Sequence, residues 1–307
     1  MTLSHAYKNI SRYKKRYGYA KGFCAMIHYA TVALKKLKLN PKNNLIQVNG
    51  YELEVIPTDL GTSLELMLFG IHEPVSTKLV TKLLTKNMTC LDIGANIGYY
   101  VMLEKKILGN TGRIIAIEPS PENFKYLSKN IRRHDSSNIE IHNIAAGNVS
   151  GTLNFLMYKD ESNSGHIISD DEIKNTSGKV IQVPVKPIDI LVKELNLKKL
   201  DFLRMDVEGY EYEILKGMLK TLEEFRPIIQ IEIHRSIMGK ENTQQFFKTL
   251  QKLDYEIKSY IPREIDTPKI GTLKDVKYYS MDDILSKLEK QQLPSFFMLS
   301  LESSKKN

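Results

Sequence analysis

Apolar and polar positions follow two different rhythms along this chain, and the change between them divides it. Over residues 6–39, basic residues interleave with Tyr13, Tyr17, Phe23, Met26, Ile27, Ala30 and Leu34, the spacing of one or two amphipathic helices that Pro41 would end. Residues 45–48 and 51–56 flank Asn49-Gly50, a dipeptide that accepts positive φ at both centres of a type I′ turn, so a β-hairpin is predicted there. A helical run covers 79–84.

From Thr89 onward short apolar runs alternate with amphipathic ones, the βαβ pattern of a mostly parallel sheet. Strands are predicted at 89–93, 113–118, 139–145, 200–206 and 228–234, with helices between them. The clearest helix is 210–225, where Ile214, Leu215, Met218, Leu219 and Leu222 form one apolar stripe. Two extended runs, 151–158 and 179–185, interrupt the alternation and predict a hairpin-like insertion between the third and fourth parallel strands, with 159–178 as its mobile loop. Strands at 255–261 and 296–301 close the sheet. The expected fold is α/β, a doubly wound, mostly parallel sheet with an N-terminal helical and hairpin extension. The expected division is a leader with hairpin at 1–60 and a catalytic domain at 61–307, carrying its insertion at about 150–186.

The predicted strand at 89–93 runs into Asp92-Ile93-Gly94-Ala95-Asn96-Ile97-Gly98, a glycine-bearing turn at the carboxyl end of a buried strand, where open α/β sheets bind ligands. Glycine lets backbone approach an adenosyl ligand closely, and Asp92 can accept hydrogen bonds from a ligand ammonium. The spacing Gly94-x-Asn96-x-Gly98 is not the Gly-x-Gly-x-x-Gly that a dinucleotide pyrophosphate requires, so NAD is disfavoured. Glu118 closes the next strand, where an acidic side chain meets ribose hydroxyls.

Those residues resemble the FkbM-like methyltransferases. The resemblance rests on Asp92 through Tyr100, Glu118-Pro119 with Glu122-Asn123-Phe124, Asp206-Val207-Glu208-Gly209, Leu215-Lys216-Gly217, and Pro227 leading to Glu232-Ile233-His234. It implies S-adenosylmethionine as cofactor, the class I (Rossmann-like) methyltransferase sheet, and methylation of a hydroxyl on a sugar, glycolipid or natural-product-like acceptor. The cofactor set expected is Asp92, Gly94, Ala95, Asn96, Gly98, Tyr99, Glu118, Pro119 and Asp206. The expected catalytic set is Asp206, Glu232 and His234, with Asp206 nearest the methyl group. These three would suit a divalent cation, but no ligand spacing is diagnostic and no metal is assigned. Arg204 stands where family members commonly carry lysine. Strand alternation puts it on the side of Asp206, so it either neutralises a buried carboxylate or contacts substrate. Glu208 reads as an acid placed at a helix start.

Charge modifies this picture. Of 44 Lys and Arg, ten lie in residues 1–51, which contain no Asp or Glu, leaving 34 basic residues against 36 acidic ones in the body. A basic leader on a near-neutral body points to docking on an anionic surface such as a membrane, and weighs against a nucleic-acid acceptor. The body also lacks the Asn-Pro-Pro-Tyr and Pro-Cys motifs of nucleobase methylation. A third reading is a membrane-docked cofactor-binding protein without catalysis. Cys24 and Cys90 are isolated, so neither a disulfide framework nor a zinc site is indicated, and a cytoplasmic location, with peripheral contact at the inner membrane face, is expected. The apolar run 22–34 is too short to span a bilayer, and Lys35-Lys36 follows without a cleavage site, so a retained leader is expected.

Overall fold

A computed structural model describes residues 3–36, 44–134, 136–157, 165–174, 176 and 178–305. Helix α1 (Leu3–Lys36) is broken at Gly18, whose φ of 85° is not helical, so the expected one or two helices are two segments joined by a kink. Its second segment lies on the body: Ala25 is buried with Ile270, His28 stacks on Phe69, and Lys21 reaches Asp275 at 2.6 Å. Pro41, expected to end it, lies outside the described residues.

Strands β1 (Leu45–Val48) and β2 (Tyr51–Glu54) form the expected hairpin, with Asn49 at φ 54° and Gly50 at φ 87° in its turn. Val48 and Leu53 enter the same buried cluster as the helices of the main domain, so the boundary expected at residue 60 does not separate two cores. Helices α2 (Thr62–Phe69) and α3 (Pro74–Leu83) follow.

The main sheet then starts with β3 (Thr89–Ile93), α4 (Tyr99–Leu108), β4 (Arg113–Ile117), α5 (Pro121–Arg132) and β5 (Ile139–His142). The third strand is shorter than expected, because the chain leaves the sheet after His142 and Ala145–Ala146 becomes β6 of a second sheet. That sheet is the insertion: β7 (Gly151–Met157), β8 (Gly165–Ile168) and β9 (Lys179–Lys186), in the order β6-β9-β7-β8. The stretch 159–178 is thus not all loop. Residues 165–168 pair with β7, and a capping box between Ser169 and Glu172 starts the one-turn helix α6 (Asp170–Ile173). The expectation of a mobile loop at 159–164, 175 and 177, and the end of the first extended run at 158, fall outside the described residues.

After α7 (Ile188–Glu194), β10 (Phe202–Met205) returns to the main sheet. The helix expected over 210–225 is two helices, α8 (Glu211–Lys216) and α9 (Leu219–Phe225), broken at Gly217. A side chain at Gly217 would collide with the Gly147 carbonyl, and Asp189 takes the N–H of Thr221 at 2.8 Å to start α9. Then come β11 (Ile228–His234), α10 (Arg235–Met238), α11 (Lys240–Lys252), β12 (Tyr255–Pro262), α12 (Met281–Glu289) and β13 (Phe296–Ser303).

The seven-stranded order is β12-β13-β11-β10-β3-β4-β5, with β13 antiparallel to both its neighbours. Buried apolar clusters cover both faces: α7, α8, α9, α11 and α12 pack on one, and α3, α4, α5 and the hairpin on the other. This is the doubly wound, class I order. Chain direction across the sheet reverses between β3 and β10, and open α/β sheets bind ligands outside the strand ends at such a switch point.

Candidate active site

The turn after β3 is held by backbone before any ligand is considered. Gly94 and Ala95 donate their N–H groups to the Ile117 carbonyl, and Asp206 N–H donates to Ile93, so the ends of β3, β4 and β10 are tied together. Gly94 sits at φ 87°, and a side chain there would overlap the Asp206 carbonyl, so glycine is required for packing of the turn against β10. Asn96 follows in the left-handed region and donates its N–H to Glu118 Oε2 at 2.8 Å. Glu118 Oε1 accepts from Ser120 N–H at 2.9 Å, and burial lifts the carboxyl to about 7.

Two cavities open at these strand ends. The first is lined by Ile93, Gly94, Asn96, Ile117, Glu118, Pro119, by Phe155, His166 and Ile167 from the insertion, and by Asp206, Glu208 and Tyr210. The second, about 300 Å³, is lined by Asp59, Thr62, Glu65, His72, Glu73, Arg263 and Phe296, together with Glu232 and His234. Asn96, Asp206 and Glu208 belong to both. Of the expected cofactor residues, Gly94, Asn96, Glu118, Pro119 and Asp206 line the first cavity, whereas Asp92, Ala95, Gly98 and Tyr99 line neither.

Asp92 departs most from its expected role. It is fully buried, and Arg204 Nη1 lies 3.1 Å from its carboxylate, so it faces a guanidinium inside the protein. Arg204 also reaches Asp206 at 3.0 Å and stacks over the Tyr100 ring, 3.9 Å from its centroid. Of the two readings of Arg204, the ion pair is the one observed, and it aims the Asp206 carboxylate. Tyr99 is likewise turned inward, with its hydroxyl 3.0 Å from Thr77 Oγ1.

Asp206, Glu232 and His234 are brought together. One ligand atom from each lies within 4.8 Å of the others. His234 Nδ1 is 2.6 Å from Glu211 Oε1, while Nε2 faces Glu208 at 3.3 Å and Asp206 and Glu232 at 3.9 Å. Burial opposes a charged imidazole, but Glu232, Glu211 and Glu208 outweigh it and hold His234 well above its ordinary value. Burial, aided by Asp206, pushes Glu232 up to about 8. Glu208 does not start a helix as expected: it sits in a tight turn at φ 52°, two residues before Tyr210, and points at His234.

Sequence reasoning missed the opposite wall. Glu73, at the start of α3, accepts a hydrogen bond from Tyr100 Oη at 2.8 Å and faces Arg263 at 3.3 Å. Burial alone would raise its pKa, yet Arg263, His72 and Arg204 bring it down to about 2. His72 Nδ1 lies 2.8 Å from Glu65. Arg263, at the end of β12, also approaches Glu232 at 3.4 Å and so joins the two walls. The sequence carries no spacing code for this wall: Asp59, Glu65, His72 and Glu73 are scattered along 59–73 on and around α2, and Arg263 is remote in sequence.

A sheet in class I order with its cavities at the switch point defines a class of protein, the class I methyltransferases. The family profile of the methyltransferase FkbM domain matches residues 92–258, more than half of the sequence, and the chain belongs to this family. It is similar to the hexuronic acid methyltransferase AglP of Haloferax volcanii, with 30% identity over 156 residues, 50% of this chain and 59% of that protein. It is also similar to Methyltransferase 1 of Beauveria bassiana, with 26% identity over 143 residues, 42% of this chain and 57% of that one. The chain thus spans less than two thirds of the length of these relatives. Among solved structures, methyltransferase FkbM from Methylobacillus flagellatus matches at 22% identity and a TM-score of 0.44, over 64% of this chain and 50% of that one.

Proposed function

We propose that this chain is an S-adenosylmethionine-dependent O-methyltransferase acting on a hydroxyl of a sugar, glycolipid or natural-product-like acceptor. The observation that carries this reading is the pair of cavities sharing Asn96, Asp206 and Glu208. A cofactor on one side and an acceptor on the other would meet at that wall. The first cavity suits an adenosyl group: Ile117, Phe155 and Ile167 offer an apolar slot for a purine, and the Glu118 carboxylate has lone pairs left for ribose hydroxyls. S-adenosylmethionine supplies an already activated methyl group, so positioning by the protein contributes most of the catalysis. Asp206, aimed by Arg204, stands at the shared wall, and Glu232 and His234 stand deeper in the acceptor cavity, where they bind the acceptor while a carboxylate of the cluster receives its hydroxyl proton. A polar, mixed-charge cavity supports a hydroxyl-rich acceptor, and the likeness to a hexuronic acid methyltransferase supports a sugar.

Calorimetry with S-adenosylmethionine tests the first half: micromolar binding by the wild type, weakened at least tenfold in Glu118→Ala, is expected. Absence of binding would remove this reading. Labelled cofactor offered with fractionated envelope glycans, lipids, RNA and small metabolites then identifies the acceptor. Transfer into RNA alone would replace this reading with that of a nucleic-acid methyltransferase.

Residues 61–307 supply all of the cavity walls but Asp59 and Leu60 and are read as the catalytic body, with α1 as an attachment element for a cytoplasmic enzyme at an anionic membrane. No helix among the described residues is long and apolar enough to cross a membrane. Favouring peripheral contact, α1 packs on the body through one face while Tyr19, Phe23, Met26 and Leu34 are exposed on another, with Lys8, Lys14 and Lys15 exposed nearby.

A further inference from the structure

We infer that Asp206, Glu232 and His234 form a divalent-cation site, of the Mg²⁺ or Mn²⁺ class, that holds the acceptor through two adjacent oxygens. The inference rests on the reading of the second cavity as the acceptor site. Its basis is the way His234 is held. Glu211, with no exposed surface, is anchored by the Gly209 N–H at 3.0 Å and takes the Nδ1 side of the ring at 2.6 Å. A carboxylate on one ring nitrogen orients the other as a ligand, an arrangement that metal-binding histidines almost always have. The other nitrogen, Nε2, which gives up its proton when a cation binds, is aimed at three carboxylates, those of Asp206, Glu208 and Glu232, all 3.3–3.9 Å away.

The second observation is Glu232. Its side chain is 6% exposed and accepts no hydrogen bond among the described residues, its nearest cation being Arg263 at 3.4 Å. Buried carboxylates are ordinarily satisfied by several donors, so this one calls for a further partner. Nor do the guanidiniums balance the charge. Arg204 is shared between Asp92 and Asp206, and Arg263 between Glu73 and Glu232, while Glu208 and Glu211 crowd the same imidazole. Two carboxylates and one imidazole suit Mn²⁺ or Mg²⁺ better than a soft metal. Ligand bonds of about 2.1 Å put neighbouring ligands about 3 Å apart. The present separations, 3.9 Å from His234 to each carboxylate and within 4.8 Å for the whole set, would close by about 1–2 Å through side-chain rotation.

Three protein ligands leave coordination positions facing the 300 Å³ cavity. A vicinal diol or an α-hydroxy carboxylate would occupy two of them, and the cation would acidify the bound hydroxyl. As the new O–CH₃ bond forms, the S–CH₃ bond of the cofactor breaks to leave a thioether, and the hydroxyl proton passes to Glu208, which lies beside the three ligands and is the most exposed of the acids around His234. Glu211 acts through His234 and is a positioning residue.

The test is titration of the chelator-treated full chain with Mn²⁺, followed by electron paramagnetic resonance, with S-adenosylmethionine affinity measured on the same preparations. One Mn²⁺ per chain is expected, with Mg²⁺ competing. Affinity should fall at least a hundredfold in Glu232→Gln and ten- to a hundredfold in Glu211→Gln, with cofactor affinity changed less than threefold. Absence of Mn²⁺ binding by the wild type at millimolar concentration, or binding unaltered in a folded Glu232→Gln, overturns the inference. If S-adenosylmethionine still binds, only the cation site falls; if neither ligand binds, the methyltransferase reading falls with it.

Discussion

The Glu118 carboxylate accepts two backbone N–H groups and is still lifted to about 7, because nearly complete burial outweighs them. In the unfolded chain the same group ionises near 4.5. Between those values the folded state holds a proton that the unfolded state has released, so stability falls as pH rises from 4.5 to 7 and does not recover above it. A gap of about 2.5 units, at about 1.4 kcal/mol each, sets that loss on the order of 3 kcal/mol. Glu118→Gln should therefore melt several degrees above the wild type at pH 8, lose that advantage at pH 4.5, and bind S-adenosylmethionine at least tenfold more weakly. Thermal melts at the two pH values check it, and a variant no more stable than wild type at pH 8 would refute the burial account. Residues of this kind were legible when strand alternation fixed their face: Arg204 and Asp206, or Glu232 and His234, share a side because they are two apart. Glu73, His72 and Arg263 were not, since each reaches the second cavity from beside a helix start or a strand end that only the tertiary fold brings near, and neither was Glu211, which meets His234 from a helix start. The pairing of Asp92 was not legible either, because an acid at a strand end carries no mark of the arginine that covers it from the next strand.

Among elements, periodicity located the strands because burial on both faces makes them continuous apolar runs, as in Thr89–Ile93, every residue of which is buried. It failed at α8 and α9, whose apolar stripe continues in phase across Gly217, while the reason for the break is a carbonyl at Gly147, seventy residues back. It failed again at β8, four residues including a glycine, where pairing with β7 and not pattern makes the strand. Helix α1 shows what periodicity can deliver. Tyr19, Phe23, Met26 and Leu34 fall within about 80° of one another at 100° per residue and are 46–79% exposed. Anionic vesicles should sediment the chain at low salt and release it at high salt, each basic residue near the surface contributing about 1 kcal/mol. Phe23→Asp with Leu34→Asp should weaken the binding at least tenfold without lowering Tm, both side chains being exposed. Failure to sediment with anionic vesicles at low salt would remove the membrane from the account.

At the scale of the molecule, the α/β class and its binding edge followed from the alternation of strands and helices, but the sheet order did not. The place of β13 between β11 and β12 depends on one antiparallel return from α12, for which the sequence has no marker. The second sheet was legible only as two extended runs, and its contribution of Phe155, His166 and Ile167 to the first cavity was not legible at all.

The shared wall of Asn96, Asp206 and Glu208 has a thermodynamic consequence. A ligand in either cavity fixes the same three residues for the other, so the two binding equilibria are linked, and linkage is symmetric: whatever factor the acceptor contributes to cofactor affinity, the cofactor returns to acceptor affinity. Couplings of 1–3 kcal/mol, roughly five- to 150-fold, are usual between linked sites. Cofactor affinity measured with and without saturating acceptor, and acceptor affinity measured with and without S-adenosylhomocysteine, should each reveal a coupling. Once the methyl group has moved, both products press on the same wall, and the departure of one loosens the hold on the other.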